Sequence, residues 1–159
     1  MKDRIKFNDA MLAAVMNGRK TQTRRPIEPQ PKVTEDELSK LGAWQEGYTL
    51  SEQVCSAWRH GFVDVDCPYG EIGDIINVAD KDGNIKGKIE ITDVWIQQVN
   101  DISESDAKAE GFDGKLNSYT SDFYAVWIGI YGIDSWMNND WVWVIDFKKA
   151  SQGGILTVD

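Results

Sequence analysis

The chain has 159 residues, a formal net charge of −9 at pH 7 and 42% hydrophobic residues. A chain of this length and composition is most economically one packed domain, able to bury roughly 70% of the surface that its unfolded form exposes. The acidic balance argues against a protein that holds long nucleic acid chiefly through its phosphates, since that mode needs many cations. No stretch approaches the roughly 20 apolar residues needed to cross a bilayer, and the N-terminus lacks an apolar signal core, so we expect a cytoplasmic protein without membrane contact.

The first predicted elements are a strand over residues 2–7 and a helix from Asp9 to Asn17. Asn8 is a residue type that caps helix N-termini, and Gly18 is typical of the position just after a helix. From Lys20 the side chains alternate as in a strand until Pro26, which removes a backbone donor. The end of the predicted helix therefore fixes the position of the basic residues that follow it.

A capping-box pattern over residues 34–37 predicts a second helix that ends near Leu41. The aromatic residues between positions 43 and 67 follow no clear period, and we predict hairpin strands around Tyr48 and Phe62. These aromatic side chains are expected to pack in the core or in a lid.

An alternative for the aromatic segment is that Trp44 or Trp58 stacks on a nucleic-acid base. His60 lies in the same segment without a visible partner and is expected to be structural. Cys55 and Cys67 are expected to be free thiols in a reducing compartment, and the one histidine leaves too few ligands for zinc. We predict neither a disulfide, a metal site nor a cofactor.

In the second half of the chain, the apolar alternation and the capping residues predict strands that alternate with short helices. The strands are expected at 75–79, 85–94 and 141–147, and the helices at 104–110 and from about 121 to 131. In the strand over 85–94, Glu90 points away from the side of Ile89 and Ile91. That direction faces a cleft if the sheet is a barrel, and solvent if the sheet is open. We predict one domain over residues 1–150, with 43–67 as an aromatic insertion or lid, and a loosely ordered tail at 151–159.

Four of the 17 Lys and Arg residues lie between Arg19 and Arg25. A local positive pocket can therefore exist on an acidic body, and it would suit a small anionic or polar ligand or a short RNA segment. The plainer interpretation is a solvated surface on which Arg24 and Arg25 pair with carboxylates.

The spacing of this run resembles a known family. Gly18, Lys20, Thr23 and Arg25 fall on the G-x-K-x-x-[E/T]-x-R signature of the ASCH superfamily. Further short matches are similar to prophage-encoded ASCH proteins: C-P-Y-G-x-x-G-D before a strand, I-T-D-V followed by D-I-S-E-x-D-A, and W-V-W-V-I-D-F-K near the end. The chain departs from that pattern at residues 75–80, where relatives have a strand of the type L-W-V-R-E, so an acidic site residue from that position is not matched here.

The resemblance implies an α+β fold, namely a PUA-like β-barrel of mostly antiparallel strands with two to four short helices, in a family proposed to bind RNA. The bacterial 4-acetylcytidine amidohydrolases are similar at the motif, since they also have threonine at its sixth position. That branch is thought to use a lysine, a threonine and a glutamate from an I-E-V-T strand. The matching residues here are Lys20, Thr23 and Glu90.

These residue types fit amide hydrolysis. The Thr23 hydroxyl would attack once Lys20 takes its proton, which requires that burial or nearby cations lower the pKa of the lysine. Glu90 would relay a proton to the leaving amine or orient the pair. The predicted substrate-binding residues are Arg19, Thr21, Arg24 and Arg25, because arginine can polarise an acyl oxygen or hold a phosphate.

Three functions follow from this arrangement. The first is hydrolysis of the acyl amide of a modified nucleoside such as 4-acetylcytidine. The second is a non-catalytic module for a nucleotide or short single-stranded RNA. The third is an accessory phage protein whose basic patch binds a protein partner. The first depends on Lys20, Thr23 and Glu90 meeting in one hollow; the oligomeric state is not predicted.

Overall fold

The computed structural model describes residues 2–40 and 47–150. These residues form five strands and six α-helices in an α+β arrangement, with a short 3-10 helix after the fourth strand. In chain order the elements are β1 (Arg4–Lys6), α1 (Asp9–Met16), β2 (Gln22–Pro26), α2 (Glu35–Lys40), α3 (Leu50–Arg59), β3 (Ile75–Ala79), β4 (Ile85–Gln98), the 3-10 helix (Val99–Asp101), α4 (Glu104–Ala109), α5 (Tyr119–Tyr131), α6 (Ile133–Met137) and β5 (Trp141–Lys149). Within the described ranges, no helix has both the length and the apolar character to cross a membrane.

The five strands form one sheet in the order β1-β3-β4-β5-β2. The β1 and β3 strands are parallel, and the other three pairs are antiparallel. No backbone pairing joins the two edge strands among the described residues, so the sheet is not closed. The edges nevertheless approach each other, because Arg25 Nη2 of β2 donates to the Lys6 carbonyl of β1 at 2.8 Å. The predicted α+β class with mostly antiparallel strands is confirmed.

The first helix forms as its sequence predicts. Asn8 Oδ1 accepts a hydrogen bond from the Met11 N–H at 2.9 Å, which satisfies one of the free donors at the helix start. Gly18 follows the helix with φ of +81°, a left-handed conformation that glycine adopts without strain. The chain then turns into β2, which brings the basic run to one edge of the sheet.

The segment predicted as hairpin strands is instead the helix α3. Thr49 and Glu52 form a reciprocal capping box at its start, a local signal that the irregular aromatic spacing obscured. Trp58 packs edge-on against Trp143 with ring centroids 5.3 Å apart, so its role is in the core, as the packing interpretation predicted. The described residues thus contain six helices rather than two to four, α3 and α6 being the additions. Trp44, the predicted end of the second helix at Leu41, and the tail at 151–159 lie outside the described residues.

Both faces of the sheet are covered, and β5 shows how. Its residues Trp143 and Ile145 are buried on one side, where α1 and α3 pack. Val142 and Val144 are buried on the other side against Phe123, Trp127 and neighbouring residues of α4 and α6. Alternating side chains in this strand therefore serve two cores. Residues of α1, the edge strand β2 and α5 line a cavity.

Candidate ligand-binding cavity

Backbone hydrogen bonds hold the start of the basic run between α1 and α4. The Lys20 N–H donates to the Ala14 carbonyl at 2.9 Å, and the Thr21 N–H donates to the Ala109 carbonyl at 2.8 Å. Lys20 is thereby fixed to the end of one helix, and its neighbour is fixed to the end of another.

Gly111 permits the close approach of α4 to this turn. It has φ of +107°, and a Cβ placed on it would lie 3.1 Å from the Cβ of Lys20 and 3.3 Å from that of Ala14. A larger residue would be strained in its backbone and would push these segments apart. The approach puts Glu110, the residue before this glycine, directly beside the lysine.

Lys20 is a buried cation whose ammonium group is fully hydrogen-bonded. Its Nζ donates to the Gln22 carbonyl at 2.8 Å, to the Glu110 carbonyl at 2.8 Å and to Glu110 Oε1 at 3.0 Å. An ammonium has three donors, so these contacts use all of them. Burial lowers the pKa of Lys20, and the Glu110 carboxylate opposes that shift without cancelling it.

Arg24 is the second buried cation, and it shares the same carboxylate. Its Nη1 donates to Glu110 Oε2 at 3.0 Å and to the side-chain oxygen of Gln22, while Nη2 contacts Gln97 and, at 3.4 Å, Asp106. Arg24 Nε is buried without a hydrogen-bond partner. We call Lys20, Arg24 and Glu110 the charged floor.

The cavity above this floor has a volume of about 370 Å³, and it is lined by apolar and charged side chains, five of the described lining residues being aromatic. Its opening carries a second group of cations, Lys6, Arg25 and Lys81, which we call the basic rim. The guanidinium carbon of Arg25 lies 4.9 Å from the centre of the Phe7 ring, and Arg25 Nε donates to Thr23 Oγ1 at 3.3 Å. The aromatic residues of the lining are Phe7, Phe112, Phe123, Trp127 and Tyr131.

Four of the seven predicted site residues line this cavity: Lys20, Thr23, Arg24 and Arg25. Arg19 and Thr21 are exposed and do not line it. The Arg19 side chain instead donates to the Gly111 carbonyl at 3.3 Å, where it helps to hold the loop after α4.

Glu90 is not brought to Lys20 and Thr23. It lies on β4 between Ile75 and Lys148 of the neighbouring strands, and its carboxylate is 4.0 Å from Lys148 Nζ. Its direction away from the buried Ile89 and Ile91 is as predicted, but that side of the strand is partly solvent-exposed and does not face the cavity. The physical reason is that strand alternation fixes which side of β4 carries Glu90, whereas the order of the strands in the sheet determines which residues lie on that side.

Glu110 is the functional candidate that sequence reasoning missed. The sequence places it at the end of the predicted helix over 104–110 and indicates no further role. A signal was nevertheless present, because a carboxylate at a helix C-terminus is unfavourable with the helix dipole and needs a compensating contact. Lys20 and Arg24 supply that contact.

The described residues contain no cluster of three or more His, Cys, Asp or Glu side chains that could hold a metal ion. Cys55 and Cys67 are both free thiols, and Cys55 lies on the core-facing side of α3. The described residues that line the cavity supply amine, guanidinium, carboxylate, hydroxyl and aromatic groups.

Comparisons with known proteins identify the fold. No family model matches the chain, and no curated protein matches it. Among solved structures it is similar to an ASCH domain from Lactobacillus crispatus, with a TM-score of 0.50 and 18% identity over 89% of this chain and 70% of that one. It is also similar to a protein from Enterococcus faecalis assigned to the family model DUF984, with a TM-score of 0.51 and 19% identity over 98% of this chain and 84% of that one. The chain therefore has an ASCH-like fold.

Proposed function

We propose that the cavity binds a nucleotide or a short segment of single-stranded RNA, with the base among the aromatic side chains and a phosphate at the basic rim. The observation that carries this proposal is the combination, in one cavity, of aromatic walls and exposed cations on a chain whose net charge is −9. Aromatic rings stack on bases, and arginine and lysine contact phosphate. A volume of about 370 Å³ lies in the usual range of small-ligand sites, so we assign the site to a flipped, terminal or free nucleotide.

We assign different roles to the cations of the charged floor and of the basic rim. Both floor cations are buried and already bonded to Glu110, so they act as fixed groups that shape the cavity. Arg25 is only partly buried and lies beside Phe7, where a phosphate could meet its planar fork. The ligand phosphate is therefore assigned to the rim, and the base to the walls.

Isothermal titration calorimetry with cytidine 5′-monophosphate tests this proposal. Tyr131 lines the cavity and is 38% exposed, so Tyr131→Ala removes a ring without opening the core. Loss of one stacked base is worth about 1–3 kcal/mol, or roughly a five- to 150-fold loss of affinity. Tyr48→Ala is the matched control, because Tyr48 is exposed and does not line the cavity. Absence of nucleotide binding by the parent protein, or equal affinities for the two variants, would contradict the proposal.

A second candidate function is hydrolysis of the acyl amide of a modified nucleoside, and one observation favours it. Lys20, whose pKa is lowered by burial, and Thr23 both line the cavity. In the neutral form, the Lys20 amine has two N–H donors and must release one of its three acceptors; its lone pair would then accept the Thr23 hydroxyl proton as the oxygen attacks the acyl carbon. The C–N bond then breaks, the nucleoside amine leaves with a proton, and water hydrolyses the acyl-threonine to the free acid. Glu110, rather than Glu90, is the carboxylate in contact with this lysine.

Incubation with 4-acetylcytidine, followed by the absorbance of released cytidine, tests the second candidate. Thr23→Val preserves the shape of the side chain and removes the nucleophile, so it should abolish release. Glu90→Gln, which lies outside the cavity, should release cytidine at the parent rate. A parent protein that binds nucleotide but releases no cytidine would exclude hydrolysis and retain the binding function.

A further inference from the structure

A second groove adjoins the cavity along the edge strand β1. Its volume is about 450 Å³, and it shares Lys6 and Arg25 with the cavity. It is lined by Lys2, Asp3, Arg4, Lys6, Arg25 and Tyr69, which we call the edge groove. The two hollows are therefore adjacent, with Lys6 and Arg25 lining both.

Strand alternation explains why cations line this groove. Ile5 is buried in the core, so Arg4 and Lys6, its neighbours on β1, face outward. Lys2 precedes the strand and is also exposed. Asp3 is the one acidic side chain among the described residues that line the groove, and it is already paired with Arg4 at 2.9 Å. The groove thus holds a positive excess on a strongly acidic chain.

An aromatic ring lies between cations in the edge groove. The Lys2 N–H donates to the Pro68 carbonyl at 2.7 Å, which fixes the start of the chain beside the turn that carries Tyr69. Lys2 Nζ is 5.6 Å from the centre of the half-buried Tyr69 ring, and the guanidinium carbon of Arg25 is 6.0 Å from it. This combination of a ring with flanking cations suits a base and its neighbouring phosphates.

We propose that the edge groove is a second binding site, for the nucleotide adjacent to the one held in the cavity. The preferred ligand is then a single strand of RNA rather than a free nucleoside. Arg25, which lines both hollows, contacts the phosphate that joins the two nucleotides. This inference rests on the proposed function of the cavity, and it adds a site that the cavity alone does not require.

The test compares cytidine 5′-monophosphate with a six-residue oligocytidine RNA, titrated at several salt concentrations. Lys2→Ala removes a groove cation that is exposed and whose ammonium contacts only the Tyr69 ring among the described residues, so the fold should be retained. Loss of one phosphate contact lowers the slope of log affinity against log salt by about 0.7, which is roughly fivefold in affinity near 0.1 M salt. Affinity for the mononucleotide should not change. Lys148→Ala, an exposed lysine that lines neither hollow, is the matched control.

Two results would overturn this inference: an RNA that binds the parent protein no more tightly than the mononucleotide, or equal salt slopes for Lys2→Ala and Lys148→Ala. Failure of the cavity proposal is recognised separately, by absence of mononucleotide binding. RNA binding that still depended on Lys2 in that case would support the edge groove and overturn only the cavity proposal.

Discussion

The charged floor and the basic rim of the cavity contain the same residue types in opposite situations. In the floor, Lys20 and Arg24 are buried and share the carboxylate of Glu110. In the rim, Lys6 and Lys81 are exposed and Arg25 is partly exposed. A buried cation must be paired because its desolvation costs free energy, whereas an exposed cation stays hydrated and can bind a ligand. The basic run therefore has two roles: Lys20 and Arg24 stabilise the cavity, and Arg25 is the residue that we propose binds the ligand.

The largest expected change in the free energy of unfolding comes from removing the carboxylate of the charged floor. Glu110→Gln leaves two buried cations without their shared carboxylate, and removal of one partner from a buried pair typically lowers the free energy of unfolding by about 3–5 kcal/mol. Urea unfolding measures this loss. Glu90→Gln makes the same chemical change in an exposed pair, so it is the control. Equal stabilities for the two variants would show that the floor is not the paired cluster described above.

A second prediction sharpens the account of Lys20 through pH. Because burial lowers its pKa below the usual 10.5, the folded protein binds fewer protons than the unfolded chain between the two pKa values. The free energy of unfolding of the parent protein should therefore rise with pH across that window relative to Lys20→Met, by at most about 1.4 kcal/mol per pH unit. Urea unfolding of both proteins at successive alkaline pH values gives the difference. A difference that stayed constant or fell with pH would contradict the lowered pKa.

The third prediction concerns the rim. Arg25→Gln removes a partly exposed guanidinium that is assigned to the ligand phosphate, so affinity for cytidine 5′-monophosphate should fall about tenfold, or about 1.4 kcal/mol. Calorimetric titration measures the change. Arg59→Gln is the control, because Arg59 is exposed, pairs with Asp93 at 3.7 Å and lies outside the cavity. A similar loss in both variants would indicate a general charge effect rather than a contact at the rim.

The smallest effect is expected at Glu90. Its contact with Lys148 is long and exposed, and pairs of this kind contribute about 0–1 kcal/mol. Glu90→Gln should therefore change the free energy of unfolding by less than about 0.5 kcal/mol and leave nucleotide affinity unchanged. Unfolding and titration of the same preparation check both statements. A marked loss of affinity would restore Glu90 to the site that the sequence resemblance assigned to it.

Local chemistry was sufficient to predict much of the fold. The cap at Asn8, the glycine at position 18 and the alternation of β5 each act within a few residues, and each formed as predicted. The segment around α3 was missed because the prediction followed Tyr48 and Phe62, which are exposed and lie outside the helix. The capping box of Thr49 and Glu52 and the spacing of Val54, Cys55 and Ala57 on one buried face are the local signals that mark the helix.

Adjacent residues encode the helix end, the turn and the strand, so local sequence is enough to place an amine, a hydroxyl and two guanidiniums close together after α1. Which carboxylate contacts the amine depends instead on long-range packing. Glu110 stands 90 positions from Lys20 along the chain and reaches it through the close approach at Gly111. Strand alternation could say which way Glu90 points but not what lies there, since the pairing of distant segments is set by the packing of the whole sheet and its helices.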